Sequence, residues 1–165
     1  MHIERTAIDR FRNATAGILT FIETIPKEAY KFRPTEVEDA WTIQEHIVHL
    51  VDSEVNAYLR LKSIVAASGS AAFVLDENRW TQSIDARQQN VDLYVVLLQT
   101  LRDVELQFLE SLDYERERDK FIVHPQEKHL DLIKWLSWYG PEHFGFHQKL
   151  MVRNLEEWRR SAAKK

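Results

Sequence analysis

Apolar residues recur at alternating steps of three and four in four stretches of this chain, a spacing that lines them along one face of a helix. The first stretch runs from about Ile3 to Ile25 through Ala7, Phe11, Ala14, Ile18, Phe21 and Ile25. Pro26 and Pro34 bracket the connection that follows. The second opens at WTIQE, residues 41–45, where Thr42 followed by Glu45 predicts a capping box, and it reaches about Ala67. Its stripe is Ile43, Ile47, Leu50, Ala57, Leu61 and Ile64, interrupted by Glu54. After SGSAAF and a long connection containing DENRW, a third helix is expected from about Asp85 to Leu112. Its stripe is Val91, Val95, Leu98, Leu101, Val104 and Phe108. A fourth is expected from about Leu130 to Arg160. Four amphipathic helices of this length predict an all-α fold, a four-helix bundle, with residues 1–165 as one domain.

The inward stripe of the fourth helix reads Leu136, Gly140, His143, His147, Leu150, Asn154 and Trp158. Pro141 cannot donate to the carbonyl of Ser137, so a kink or loosening is expected just before the two histidines. Histidines at i and i+4 can reach one metal ion from a single helix face, although two core histidines with one hydrogen bond each explain the pair as well. The second helix offers further imidazoles in His46 and His49, one turn apart. His49, Ser53, Asn56 and Arg60 also form a polar stripe beside the apolar one, which a solvated face would explain equally. Three imidazoles with positions left open would suit a catalytic metal site rather than a purely structural one.

Composition narrows the chemistry. Cysteine is absent, which removes disulfides, thiolate metal sites and cysteine nucleophiles, and fits a cytoplasmic setting. A net charge of −4 gives no basic face for nucleic acid. The N-terminus is charged and amphipathic, unlike a signal peptide, and no apolar run approaches membrane-spanning length. The expected partner is a small-molecule substrate. With five tryptophans, three of them near the last helix, a homodimer interface and ordinary core packing both remain open.

WTIQEHIVHLVDSEVNAYLRLK together with WYGPEHFGFHQKL resembles the DinB-like superfamily, in particular the branch of YfiT-type candidate metal hydrolases and bacillithiol S-transferases. His49, Asp52, Ser53, Asn56, Tyr58, Arg60 and Lys62 follow the spacing of that branch, and DENRW resembles its Asp-Glu-x-x-Trp segment. The resemblance implies a four-helix bundle whose second and third helices run roughly parallel, joined by a long crossover.

It also implies metal ligands His49, His143 and His147, with His46 outside the ligand set. Asp52, Ser53, Asn56, Tyr58 and Arg60 would then serve as supporting or substrate-contacting groups, and Asp52 or Glu142 would orient a ligand ring. Arg60 lies three turns beyond His49, about 16 Å along the axis, where an anion contact would suit the far end of an elongated thiol cofactor and not the reacting atom. Two departures bear on the substrate: Phe146 and Gln148 flank His147 where members often carry a second histidine, and Pro141 is unusual.

The implied cofactor is a divalent ion, and zinc, nickel or iron all accept three imidazoles plus water. That ion would activate a small-molecule thiol, as in an S-transferase, or water, as in a hydrolase. The alternative is a metal- or small-ligand-binding bundle without turnover.

Overall fold

The computed structural model describes residues 2–37 and 40–164. The first bundle helix, α1, spans His2–Glu23. Ile25 lies just past its end in a turn closed by its own amide on Ile22, and is buried there. The second, α2, spans Ile43–Ala66 and starts with the expected capping box. Glu45 N donates to Thr42 Oγ1 at 3.2 Å, and Thr42 N donates to the Glu45 carboxylate at 2.6 Å. Two orphan donors of the first turn are thereby satisfied. All six residues of its apolar stripe are buried.

The connection after α2 carries a short helix, α3 (Glu77–Ser83), and a 3-10 turn over Ala86–Gln88. The third bundle helix, α4, therefore begins later than its periodicity suggests, spanning Val91–Glu110. Asp85 sits at φ 41°, outside helical space, and the Asn90 side chain accepts from Asp92 N at 3.1 Å to cap the true start. Its inward face also differs from expectation. Val91 and Leu98 are buried, but Val104 is exposed, and Arg102 and Glu105 hold inward positions. The reason is electrostatic: Arg102 meets Glu54 of α2 at 2.7 Å, with both side chains essentially excluded from water. Arg102 also lies between the rings of Phe11 and Phe144, 4.1 Å from each centroid.

The direction of the helices follows from who meets whom. Gln44 donates to the carbonyls of Ala86 and Gln89, Glu54 meets Arg102, and Lys62 sits 3.9 Å above the Phe108 ring. Numbers climb together, so α2 and α4 run parallel, as a long crossover requires. Arg12 pairs with Glu110 and Lys27 with Asp92, so α1 runs the other way.

After α4 come a short helix α5 (Tyr114–Glu117) and two short antiparallel strands, β1 (Phe121–Ile122) and β2 (Leu130–Asp131). The segment expected to be one helix from Leu130 is thus divided. It comprises β2, then α6 (Leu132–Ser137), a wide π-type turn (Trp138–Glu142) and α7 (His143–Ala162). The break falls where Pro141 predicts it, with Gly140 at φ −90°, ψ −107°. Gly140 also lets α1 come close, since a Cβ there would stand 3.2 Å from the Phe11 Cα. Beside β1, the chain just past α2 adds a parallel bridge between Ala71 and Val123. No helix among the described residues is long and apolar enough to cross a membrane.

Candidate metal centre

The α2–α7 interface gathers four of the chain's histidines. His46 and His49 lie on consecutive turns of α2, each facing inward because the capping box at Thr42 sets the register of the helix start. His143 and His147 occupy the first two turns of α7, immediately after the wide turn that re-aims the chain. One nitrogen from each of His49, His143 and His147 falls within 4.8 Å of the others. His49 Nε2 stands 3.3 Å from His143 Nε2. These three are the histidines that the family resemblance implied as ligands, and residues far apart in sequence, 49 and 143, supply them.

His46 takes a different place. Its Nδ1 lies 3.0 Å from His147 Nδ1, so the two rings share one proton in a hydrogen bond. With His147 as donor, the His147 Nε2 keeps its lone pair for a metal, and His46 performs the orienting task that a carboxylate usually fills. The two carboxylates expected in that task are elsewhere. Glu142 is exposed and accepts from Ser137 Oγ. Asp52 is half-buried, with one buried oxygen unpartnered, and its charge is felt by Tyr94 of α4. No carboxylate joins the three imidazoles in this cluster among the described residues.

The environment keeps the cluster uncharged. Burial, then the neighbouring His147, lowers His49 to about 3, and burial and the same neighbour lower His46 to about 3. Burial alone takes His147 to about 4. Burial and the adjoining imidazoles hold His143 well below the ordinary imidazole range. Neutral imidazole is the form that binds metal, so the donor set fits a divalent ion without first losing protons.

Apolar rings close the surroundings. Trp41 packs with its ring centroid 5.0 Å from His49 and 5.4 Å from His46, and its carbonyl accepts from Asn154 at 2.7 Å. Phe146 stands edge-on to His147 at 5.2 Å while remaining 58% exposed, a rim rather than a core position.

A crevice of about 80 Å³ leads away from His143. Ser53, Asn56 and Arg60 of the polar stripe line it, together with His124, Trp138 and Tyr139. The stripe is thus a buried wall, not a solvated face: Asn56 is 5% and Arg60 7% exposed. Tyr58 is partly exposed and does not line this crevice. His124 carried no periodic or motif signal, and Tyr139 lay in the matched WYGPEHFGFHQKL stretch without being singled out as a site residue. His124 arrives on the strand connection, and Tyr139 sits within the wide turn, so only the packed chain reveals them.

Residues 10–145 match the family model described as the DinB superfamily. Proteins of Bacillus cereus and Bacillus thuringiensis, named as candidate metal-dependent hydrolases, are 28% identical to this chain over 106 residues. That alignment covers 62% of this chain and spans 60% of the relatives' own length. Among solved structures, YfiT from Bacillus subtilis superposes with a TM-score of 0.80 over 96% of this chain and 87% of that one. It is described as a candidate metal-dependent hydrolase with an unusual four-helix bundle topology, and at 22% identity the likeness establishes the shared fold.

Proposed function

The chain belongs to the DinB superfamily, and from that premise we propose that it is a metal-dependent hydrolase holding one divalent ion on His49, His143 and His147. The observation that carries this reading is the convergence of three uncharged imidazoles, two buried and His143 partly so, within 4.8 Å. Relatives named as candidate metal-dependent hydrolases support it. A bound divalent ion would supply a water of lowered pKa and a Lewis acid for the bond to be cleaved.

The chain's own residues do the rest. With the His147 Nδ1 proton donated to His46 Nδ1, His46 holds the His147 ring in place and leaves its Nε2 lone pair for the ion. Trp41 shields the rings from bulk water, which strengthens every polar interaction among them. The crevice at His143 admits substrate from one side. A small-molecule thiol in place of water would use the same position, and the absence of cysteine means that such a sulfur would come from outside the chain.

The test is elemental analysis of tag-free protein, followed by assays on a panel of esters and amides and on a thiol with an activated electrophile. We expect one ion per chain and hydrolysis that is lost on chelation, restored by metal and absent in His49→Ala. Turnover only with the thiol would assign the transferase reaction. One bound ion without turnover of any substrate would favour a binding role instead.

A further inference from the structure

Arg60 is a buried guanidinium. It is 7% exposed, yet no carboxylate among the described residues lies within ion-pair distance of it. Its two terminal nitrogens donate to neutral oxygens, the Tyr139 hydroxyl and the Phe73 carbonyl. Its Nε is buried with no acceptor among the described residues. Burying a cation in this way costs several kcal/mol unless an anion or a full set of hydrogen bonds offsets it. Arg102, which is fully buried, has Glu54 at 2.7 Å and Glu105 at 3.9 Å.

The surrounding groups are neutral donors or can become so. His124 is 3% exposed and its Nδ1 accepts from the backbone amides of Gln126 and Glu127, at 3.4 and 3.3 Å. The proton of the neutral ring is therefore on Nε2, which is left as a donor. Burial and the Arg60 charge keep that ring neutral, against the weaker pull of the exposed Glu127. Asn56 Oδ1 is buried without a partner, and rotating the amide would present its NH₂ there instead. All three residues line the crevice that also touches His143, and no acidic residue is among its described lining.

We propose that this crevice is a carboxylate subsite, in which Arg60, His124 and Asn56 hold a carboxylate of the substrate while its scissile bond lies on the His143 side. A single guanidinium, in about 80 Å³, matches a planar monoanion better than a phosphate dianion, which would call for a second cation. This inference rests on the hydrolase reading for its choice of reacting side. The subsite itself is a binding property that can be measured without turnover.

The experiment is calorimetric titration of the full chain, metal-free and zinc-loaded, with succinate, its neutral counterpart succinamide, and inorganic phosphate. Succinate is expected to bind at least tenfold more tightly than succinamide and more tightly than phosphate. Arg60→Gln should remove the preference, and His124→Phe should weaken succinate about three- to tenfold. Should Arg60→Gln not fold, Asn56→Asp supplies the missing carboxylate internally, and it should abolish succinate binding while raising the melting temperature. Equal binding of succinate and succinamide by the wild type would overturn the subsite, as would tighter binding of phosphate or unchanged succinate binding in Asn56→Asp. The hydrolase reading fails separately, through absence of metal-dependent turnover with the succinate preference intact.

Discussion

The Nδ1 atoms of His46 and His147 stand 3.0 Å apart across the α2–α7 interface, which places His46 to orient one of the three proposed ligands. Loss of an orienting partner commonly lowers metal affinity by about 10- to 100-fold without removing the site. His46→Ala should therefore still take up one ion at saturating metal, with affinity reduced by about that factor in a chelator-competition titration. Alanine at His49, His143 or His147 should abolish stoichiometric binding. Equal loss for His46 would make it a ligand.

Proton competition at this centre should be weak. With His49 lowered to about 3 and His147 to about 4, the folded site stays deprotonated well below pH 6.5. Zinc affinity should change little between pH 7.5 and 5.5, whereas solvated imidazoles would lose up to about tenfold per pH unit each below their ordinary value. The metal-free protein should show the matching cost. Between pH 6.5 and 4 the unfolded chain binds protons that the folded chain refuses, so stability falls as pH falls, by up to about 1.4 kcal/mol per unit for each such histidine. Urea melts across that range check the slope.

Asp52 has the opposite sign. Burial raises it from 3.8 to about 6, so between those values the folded state holds a proton that the unfolded state has released. Its contribution to stability declines as pH rises through that window, and the full penalty is present above it. Asp52→Asn should stabilise by about 1 kcal/mol at pH 8, allowing for the water that still reaches a half-buried group. The gain should vanish towards pH 4, and melting curves at the two pH values decide it.

Arg102 holds two buried carboxylates and also donates to the Tyr139 carbonyl at the wide turn preceding His143. Arg102→Met should cost about 3–5 kcal/mol in urea, because it strands Glu54 and Glu105 in the core. Changing all three together, with Glu54→Gln and Glu105→Gln, should recover much of the loss. Metal affinity should fall in both variants, since the turn that aims His143 loses its donor.

Chelation should lower the melting temperature by several degrees without unfolding the chain. An ion bound only by the folded state stabilises by mass action. The apolar faces of α1, α2, α4 and α7 form continuous clusters of buried residues without it. Complete unfolding with EDTA, followed by circular dichroism, would show a structural centre instead.

Much of this protein is written locally in its sequence. Steps of three and four place Ile43, Ile47 and Leu50 on one face of α2, and the same steps turn His143 and His147 inward on α7. Thr42 and Glu45 mark where α2 starts, and Pro141 marks where the last helix breaks. These signals are legible because each depends on a few neighbouring residues and a fixed helical period. The inward face of α4 was not, since Arg102 and Glu105 count as polar until Glu54 of another helix stands opposite and makes their burial tolerable. Nor could spacing show that His46 supports His147, or that Arg60, about 16 Å along α2 from His49, opens onto the same crevice as His143. Those relationships depend on how α7 crosses α2, on the wide turn that puts Tyr139 against Arg60, and on the strand connection that delivers His124. Periodicity decides which face of a helix turns inward; only the packing of one helix against another decides what that face meets.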